Sequence, residues 1–304
     1  MQIISDIQEL RATLRRRRDD RSNGDQKSRN VGFVPTMGAL HAGHRSLVQA
    51  ARQRCDIVVV SIFVNPTQFG PNEDFSRYPR TLEQDCQMLA AEGVDVVFTP
   101  TAEAMYPSGA STFVDVEGVS DRLDGASRPG HFRGVSTVVA KLFHIVQPNL
   151  AFFGQKDAAQ VAVLRKMVRD LDFPLEIIVC PTVREPDGLA MSSRNRYLSP
   201  EERRQALTLS RALKSAETQF ARGEVAAVTT AALLQTMRAT MQEEPAIRID
   251  YIAAVDPDTL LPIEDVNVSG LLAIAAYVGT TRLIDNVLLT SSTRNTVVPI
   301  KKKS

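Results

Sequence analysis

Cysteine is scarce in this sequence, and its spacing excludes the classes of protein that depend on it. The 304 residues contain three cysteines, Cys55, Cys86 and Cys180, an odd number with no paired spacing. Such a set indicates neither a disulfide framework nor a zinc knuckle. The sequence therefore favours a reducing compartment.

An excess of charge of either sign is also missing. Lysine and arginine number 36 against 35 aspartates and glutamates, so no broad basic surface for nucleic acid or anionic membrane is predicted. No apolar run approaches the ~18 residues of a membrane span, and the N-terminal segment lacks the apolar core and small-residue cleavage site of a signal peptide. We expect a soluble, cytoplasmic protein without nucleic-acid or membrane partners, whose anion sites are local.

The sequence does contain a regular alternation of apolar elements in an ordinary globular composition, 43% hydrophobic and 23% charged. Apolar runs of strand length alternate with segments of helical period up to residue 182. The predicted strands are 31–34, 56–64, 94–98, 150–153 and 175–179, and the clearest predicted helices are 45–54, 81–92, 135–146 and 158–171. Because these strands are continuously apolar, they are expected to be buried on both faces of a parallel, doubly wound α/β sheet.

The pattern changes beyond Pro181, where a polar, turn-rich stretch leads into long helical segments at 200–222 and 226–242. Strands are predicted at 248–255 and 271–278, in a small, mostly antiparallel sheet. We therefore predict two domains, residues 1–182 and a smaller α+β domain, 183–304. The charge-rich stretch 11–29 and the Lys301–Lys303 tail are expected to be solvated.

The segment 30–44, NVGFVPTMGALHAGH, runs from a buried strand through a glycine-bearing loop into a helix. A helix N-terminus offers unpaired N–H groups and a positive dipole end, and Gly38 and Gly43 allow close approach of the backbone. His41 and His44, three apart, can donate hydrogen bonds to phosphate oxygens from one side of the helix. A packing histidine or a zinc pair is the alternative, but zinc needs a third ligand and no Cys or HExxH pattern accompanies the pair. The segment predicts a phosphate site.

Polar residues follow two of the predicted strands. Asn65 and Gln68 come after strand 56–64, and Gly154-Gln-Lys-Asp157 comes after strand 150–153, with Gln160 one turn further. Because ligands bind at the carboxyl edge of a parallel sheet, these groups are predicted to reach one crevice. Asn65 as a turn initiator and Asp157 as a helix cap remain alternatives.

Two further loops carry cations. The segment 191–195, MSSRN, offers hydroxyls and a guanidinium, and beside a phosphate site it is interpreted as a closing clamp, although alone it resembles a linker. The basic loop 128–133 faces either the same anion or an acidic neighbour.

Several motifs occur together and in one order: VPTMGALHAGH, SIFVNPTQFG, YPRT, RPGHFRGVSTVV, FFGQKD and MSSRNRYLS. In these motifs the chain resembles, over essentially its whole length, the pantothenate synthetase family, which are pantoate–β-alanine ligases of the HIGH-type nucleotidyltransferase superfamily. The histidine motif alone would indicate only the superfamily. The resemblance implies a Rossmann-like N-terminal domain, a smaller C-terminal lid domain and a homodimer.

The resemblance also implies roles for individual residues. His44 is implied as the proton donor, with His41 assisting at the phosphates and Lys156 and Arg194 stabilising charge. The implied ATP-binding residues are Met37, Gly38, Ala39, Leu40, His41, Ala42, Gly43, His44, Gly154, Gln155, Lys156, Asp157, Val183, Met191, Ser192, Ser193 and Arg194. The remaining implied contacts are Gln68 and Gln160 for pantoate, Gln68 for β-alanine, and Asp85 for Mg²⁺.

Three features depart from the family pattern. The family commonly has Glu where Gln155 stands and a bulky residue where Ala158 stands, and the stretch 19–29 is longer and more polar than usual. We interpret that stretch as a surface insertion. None of these departures removes a phosphate ligand.

The implied reaction has two steps. The pantoate carboxylate attacks the α-phosphorus of ATP and expels pyrophosphate, and the β-alanine amine then attacks the acyl-adenylate and releases AMP. Three competing interpretations exist: a nucleotidyltransferase of the same superfamily that leaves the nucleotidyl group on its product, a tRNA-charging synthetase, and a nucleotide-binding module without catalysis. The absence of a basic anticodon-binding region argues against the synthetase.

Overall fold

The computed structural model describes residues 1–19, 28–71, 73–222, 229–266 and 269–290. They form a six-stranded and a three-stranded sheet with flanking helices. The strands are β1 (Gln2–Ile4), β2 (Val31–Thr36), β3 (Ile57–Ile62), β4 (Val96–Phe98), β5 (Leu150–Gly154), β6 (Glu176–Cys180), β7 (Ile247–Val255), β8 (Ser269–Val278) and β9 (Thr281–Thr290). The helices are α1 (Ile7–Asp19), α2 (Ala42–Arg54), α3 (Leu82–Ala91), α4 (Ala102–Met105), α5 (Asp124–Ser127), α6 (His131–Val146), α7 (Ala158–Asp170), α8 (Pro200–Arg222) and α9 (Thr230–Gln242).

All neighbouring strands of the larger sheet are parallel, in the order β1-β4-β3-β2-β5-β6. The chain builds outward from β2 through β3 to β4 and then returns to place β5 on the other side of β2. Gly32 of β2 pairs with Leu150 of β5, and Phe33 pairs with Ala151. The carboxyl ends of β2 and β5 therefore lie side by side at the switch point, which is where open α/β sheets bind ligands.

Helices cover both faces of this sheet, as the continuous apolar strands predict. Phe33 and Val59 belong to the apolar cluster on one face, whereas their chain neighbours Val34 and Val60 belong to the cluster on the other. All four side chains are fully buried. The predicted doubly wound parallel sheet is confirmed.

The C-terminal part has an antiparallel sheet, β7-β8-β9, with its own core against α8 and α9. Three residues of this C-terminal part pack instead into the apolar core of the parallel sheet, namely Val255, Leu260 and Leu271. The two parts are therefore in apolar contact. The boundary at residues 182 and 183 stays a prediction. Among the described helices, none combines the length and apolar character needed to cross a membrane.

Most element bounds agree with the sequence-based prediction, and two strands were not predicted. β1 has only three residues, too few to show a period. β9 follows the Gly279-Thr280 turn, and a glycine-bearing two-residue turn after a strand is a hairpin signal that the interpretation missed. The predicted helical start at 226–228, the Lys301–Lys303 tail and residues 20–27 of the predicted insertion lie outside the described residues.

Helix α6 comes unusually close to the short 3₁₀ turn Pro66–Gln68 at Gly134. A Cβ atom on Gly134 would lie 2.3 Å from the carbonyl oxygen of Thr67 and 2.8 Å from the Cα of Gln68. The side-chain amide of Asn65 also donates to the Gly134 carbonyl, at 3.2 Å. Glycine here lets the helix backbone fix the position of the turn.

We therefore expect Gly134→Ala to lower the free energy of unfolding by about 1–3 kcal/mol, because the backbone at 67–68 must move away from the added methyl group. Urea denaturation measures this change. Ser136→Ala, on the same helix, is the control: its buried hydroxyl has no hydrogen-bond partner in the described structure, so its loss leaves stability nearly unchanged. A Gly134→Ala protein as stable as the parent would contradict the close contact.

Candidate active site

The loop between β2 and α2 has two consecutive residues in the left-handed region, Gly38 at φ 82° and Ala39 at φ 51°. A Cβ atom at Gly38 would lie 3.0 Å from Ile62 and 3.1 Å from a carboxylate oxygen of Asp85. A left-handed residue other than glycine costs on the order of 1–3 kcal/mol and persists only where its surroundings fix it. The loop therefore needs an external anchor.

That anchor is Asp85 on α3, whose side chain is buried. One carboxylate oxygen accepts the N–H of Ala39 at 2.9 Å, and the other accepts the N–H of Leu40 at 2.8 Å and the hydroxyl of Thr81 at 3.2 Å. Bonds to a carboxylate are stronger than those between neutral groups. Asp85 thus holds the left-handed turn that leads into α2.

His41 and His44 together form the cap at the N-terminus of α2. The N–H of Gly43 donates to Nδ1 of His41 at 3.1 Å, and the N–H of His41 donates to Nδ1 of His44 at 3.4 Å. Since Nδ1 accepts in both rings, each neutral ring carries its proton on Nε2. The ring centroids are 4.2 Å apart, and both residues line one cavity.

Both rings are neutral at pH 7. Burial, and then the nearby Lys156, lower the pKa of His41 to about 4. Burial also lowers the pKa of His44 to about 3, with a smaller contribution from His41. The pair therefore offers two Nε2–H donors that act as hydrogen-bond donors without being imidazolium ions.

The carboxyl end of β5 brings Lys156 and Asp157 to the same cavity. Their side chains lie 3.5 Å apart, and Asp157 makes no side-chain capping bond at the start of α7. Burial by itself would raise the pKa of Asp157, but the Lys156 ammonium lowers it below its usual value. A Cβ at Gly154 would meet no atom within 4 Å, which leaves open space at this strand end.

A residue of β9 fixes this strand end from the C-terminal part. The side-chain amide of Asn286 donates to the carbonyl oxygens of Gln155 at 3.0 Å and Lys156 at 2.8 Å. Gln155, where the family commonly has Glu, donates in return to Asn286 at 3.1 Å. The sequence interpretation missed Asn286 because it missed β9.

Gln68 is held by side chains rather than left to rotate. Asn65 donates to its Oε1 at 3.1 Å, and its Nε2 group donates to the sulfur of Met37 at 3.0 Å. Tyr106, also missed in the sequence, donates to Oδ1 of Asn65 at 2.8 Å. Asn65 additionally accepts from the N–H of Thr67, so the turn-initiator interpretation describes part of its role.

The basic loop 128–133 faces an acidic neighbour. Arg128 donates to both carboxylate oxygens of Glu73, at 2.7 and 2.6 Å. His131 lies between the guanidinium of Arg128, 2.9 Å from Nε2, and the carbonyl oxygen of Gln68, 2.8 Å from Nδ1. Burial, then Arg128, lowers the pKa of His131 to about 4. Both residues line the cavity and support the backbone at Gln68.

The segment 191–194 forms part of the lining of this pocket. The N–H of Met191 donates to the carbonyl of Val183 at 3.0 Å, the hydroxyl of Ser193 reaches the carbonyl of Ala39 at 3.5 Å, and Arg194 pairs with Asp74. The segment therefore contacts both parts of the protein.

Two adjoining cavities, of about 240 and 560 Å³, run through these residues. The larger one extends to β9, and the two share seven residues: Arg128, His131, Lys156, Asp157, Gln160, Ser192 and Arg194. The smaller cavity brings together most of the residues predicted for the site, namely Met37, His41, Gly43, His44, Gln68, Gly154, Lys156, Asp157, Gln160, Val183, Met191, Ser192, Ser193 and Arg194. Neither lining includes Gly38, Ala39, Leu40, Ala42, Gln155 or Asp85.

The metal role of Asp85 stays a prediction. In the structure both carboxylate oxygens accept backbone N–H groups, and the residue lies outside the two cavities. The contacts that the structure shows for Asp85 are those that anchor the loop.

Comparison with known proteins identifies the family. The model of a family described as pantoate-beta-alanine ligase matches residues 2–288. The chain belongs to the pantoate–β-alanine ligase family. A pantothenate synthetase of Acidobacterium capsulatum is 64% identical over 287 residues, which cover 93% of this chain and 95% of that protein. Our chain is therefore an enzyme that joins pantoate to β-alanine with the use of ATP.

Solved structures of this family have the same fold. The pantothenate synthetase of Thermus thermophilus gives a TM-score of 0.87 at 48% identity, covering 94% of this chain and 99% of that one. The pantoate-β-alanine ligase of Francisella tularensis, complexed with β-γ ATP and β-alanine, gives 0.74 at 36% identity and covers 95% and 97%. The prediction of a Rossmann-like sheet with a smaller C-terminal sheet is confirmed.

The neutral histidine pair gives a first testable expectation. Because the pKa values of His41 and His44 are about 4 and about 3, neither ring takes up a proton between pH 8 and pH 6. Nitrogen NMR of histidine-labelled protein should show two rings protonated on Nε2 throughout that range, and kcat/KM for ATP should show no acid limb near pH 6.5. A protonation midpoint near 6.5 for either ring would contradict neutrality.

The anchoring role of Asp85 gives a second expectation. Asp85→Asn removes the charge that two backbone N–H groups share, and should lower the free energy of unfolding by about 1.5–3 kcal/mol and weaken ATP binding. Glu83→Gln, at an exposed position of the same helix, is the control and should behave like the parent. Thermal unfolding measures the loss of stability, and ATP titration at increasing Mg²⁺ concentration measures the loss of affinity. Recovery of ATP affinity at high Mg²⁺ would show that Asp85 contributes to metal binding.

Proposed function

We propose that this enzyme forms pantoyl-adenylate and then the amide in one pocket, at the switch point between β2 and β5. The proposal rests on one observation: cationic or hydrogen-bond-donating side chains and side-chain amides line the same cavity. His41, His44 and Lys156 suit phosphate oxygens, and the amides of Gln68 and Gln160 suit the hydroxyls and carboxylate of pantoate.

In the first step, the pantoate carboxylate attacks the α-phosphorus of ATP, and pyrophosphate leaves with the electron pair of the broken P–O bond. Negative charge grows on the leaving phosphate oxygens. The Nε2–H groups of His41 and His44, the ammonium of Lys156 and the guanidinium of Arg194 stabilise it. Because both imidazoles are neutral, they add donors beside Lys156 without the repulsion that three neighbouring cations would suffer.

ATP lies with its adenine against Val183 and its phosphates along residues 37–44 and 154–157. The nucleotide enters as its Mg²⁺ complex, in which phosphate oxygens and water hold the metal, as is usual for this ion. Asp85 is not assigned to the metal, since its oxygens hold Ala39 and Leu40.

In the second step, the neutral amine of β-alanine attacks the acyl carbon of the adenylate and the C–N bond forms. The acyl C–O bond breaks, AMP leaves with its electron pair, and the nitrogen gives up one proton to solvent. Gln68 serves this step as well as the first, since its amide is fixed by Asn65. The segment 191–194 acts as the edge of a lid domain and keeps water from the adenylate. The larger cavity, which reaches β9, is the route for β-alanine.

We also place the enzyme in the cytoplasm as a homodimer. Cys55 and Cys180 are buried free thiols, and burial raises the pKa of Cys55 to about 11, so this thiol is inert. Phe113, 49% exposed between α4 and α5, is an apolar side chain that a second copy can cover. Sedimentation showing a single chain at micromolar concentration would contradict the dimer.

The deciding experiment is ATP–pyrophosphate exchange with pantoate present and β-alanine absent, followed by AMP release on addition of β-alanine. We expect pantoate-dependent exchange in the parent, and a loss of ~10²–10³ in the rate for His44→Ala, because one transition-state donor is removed. ATP binding should persist in this variant.

His144→Ala is the matched control, since His144 is exposed on α6, its ring lies tilted against that of Phe173, and it lines neither cavity. A His44→Ala rate within about threefold of the parent removes His44 from the mechanism. A folded parent that binds ATP but shows no pantoate-dependent exchange contradicts the proposed function.

A further inference from the structure

Two consecutive acidic residues, Glu73 and Asp74, line the larger cavity and bind different arginines. Glu73 binds Arg128, which supports Gln68 through His131. Asp74 binds Arg194, from the segment 191–194. Residues 73 and 74 therefore contact two arginines of different roles. Arg128 supports Gln68, which is proposed to bind pantoate, and Arg194 is proposed to bind the triphosphate.

The pair between Asp74 and Arg194 is a two-point contact along one edge of the guanidinium. Nε donates to Oδ2 and Nη2 to Oδ1, each at 3.0 Å, and the side chains are 29% and 14% exposed. Because the guanidinium is planar, bonds along one edge fix its plane. The remaining group, Nη1, makes no hydrogen bond to the described residues, and Arg194 lines both cavities.

The carboxylate also keeps the buried arginine charged. Burial by itself would lower the pKa of Arg194, but the hydrogen bonds and charge of Asp74 raise it above its usual value. Burial likewise opposes the charge of Asp74, and Arg194 lowers its pKa below the usual value. Each member of the pair thus holds the other in its ionised form.

Further contacts join the same two stretches of chain. The hydroxyl of Tyr197 donates to the carbonyl of Arg77 at 3.3 Å, and Tyr78, which is buried, lies beside Ser193. The stretches 73–78 and 192–197 therefore lie together, and the pair between Asp74 and Arg194 is a charged contact between them.

We propose that Asp74 is a positioning residue: it holds Arg194 by one edge so that Nη1 faces the triphosphate of ATP. The inference rests on the proposed function, since it assigns Arg194 to the phosphates. A displacement of about 1 Å at a group that stabilises a transition state can cost on the order of 10²-fold in rate. Fixing the guanidinium before ATP arrives avoids that loss.

Asp74→Asn should therefore lower the rate of pantoate-dependent exchange by roughly 10- to 100-fold and weaken ATP binding, and Asp74→Glu should recover part of both. The matched control is Asp258→Asn, which removes the pair between Arg165 and Asp258. That pair also joins the two parts of the protein, but it is exposed, at 44% and 55%, and lies outside both cavities. Asp258→Asn should match the parent.

A double-mutant cycle separates positioning from general support of the fold. If Asp74 acts through Arg194, adding Asp74→Asn to Arg194→Ala changes neither the exchange rate nor the ATP dissociation constant further. Multiplication of the two losses overturns the inference. Tighter ATP binding by Asp74→Asn also overturns it, because Asp74 would then compete with ATP for the arginine.

Calorimetric titration with ATP alone measures the ATP dissociation constant of the same four proteins of the cycle in the absence of pantoate. Absence of exchange in the parent and in Asp258→Asn would count against the proposed function, and the ATP cycle would still decide the role of Asp74. Should Asp74→Asn fail to fold in thermal unfolding, Arg194→Lys replaces it, since lysine keeps the charge but cannot make the two-point contact. Parent-like ATP binding and exchange in Arg194→Lys would overturn the inference.

Discussion

The arrangement of this site depends on the contact between the Asp85 carboxylate and the N–H groups of Ala39 and Leu40. A buried carboxylate is tolerated only when it is well hydrogen-bonded. An alanine in the left-handed region persists only when its surroundings fix its backbone. The contact meets both requirements, because the backbone N–H groups satisfy the carboxylate and the carboxylate fixes the backbone. The turn that results places His41 at the N-cap of α2 and His44 three residues later. Their backbone N–H contacts then fix the tautomer of both rings. A structural carboxylate 46 residues from Ala39 in the chain thereby determines which proton faces the ligand.

Neutral histidines suit a pocket that already contains Lys156 and Arg194. Two imidazolium ions added to these cations would repel one another at short range, and burial prevents that by lowering the pKa of both rings. Hydrogen-bond donors that are fixed in place stabilise developing charge without reorganising during the reaction. The histidine pair thus contributes hydrogen-bond donors of fixed orientation rather than positive charge, and Lys156 supplies a mobile positive charge.

The sequence predicted the parallel sheet, its switch point and most of the residues that line the pocket. It could do so because strands buried on both faces are continuously apolar, and because the chain order of strand ends places polar loops at one edge. It could not predict partners that are distant in sequence. Arg128 stayed undecided until Glu73, 55 residues away, was seen to bind it, and Asn286 is 131 residues from Gln155. The anchoring role of Asp85 was missed for the same reason, since a lone aspartate on a helix carries no local signal of its partner.

Three of the four arginines that line the larger cavity are held by carboxylates, as the histidine loop is held by Asp85. Arg128 pairs with Glu73, Arg194 with Asp74 and Arg282 with Asp124. Arg282 binds Asp250 as well, so it links β9, which carries Asn286, to β7 and α5. Desolvated charges are tolerated when such partners hold them, and a held arginine has less freedom to lose when a ligand arrives. The fold therefore orients these guanidinium groups through its own carboxylates, and the role proposed for Arg194 depends on that orientation.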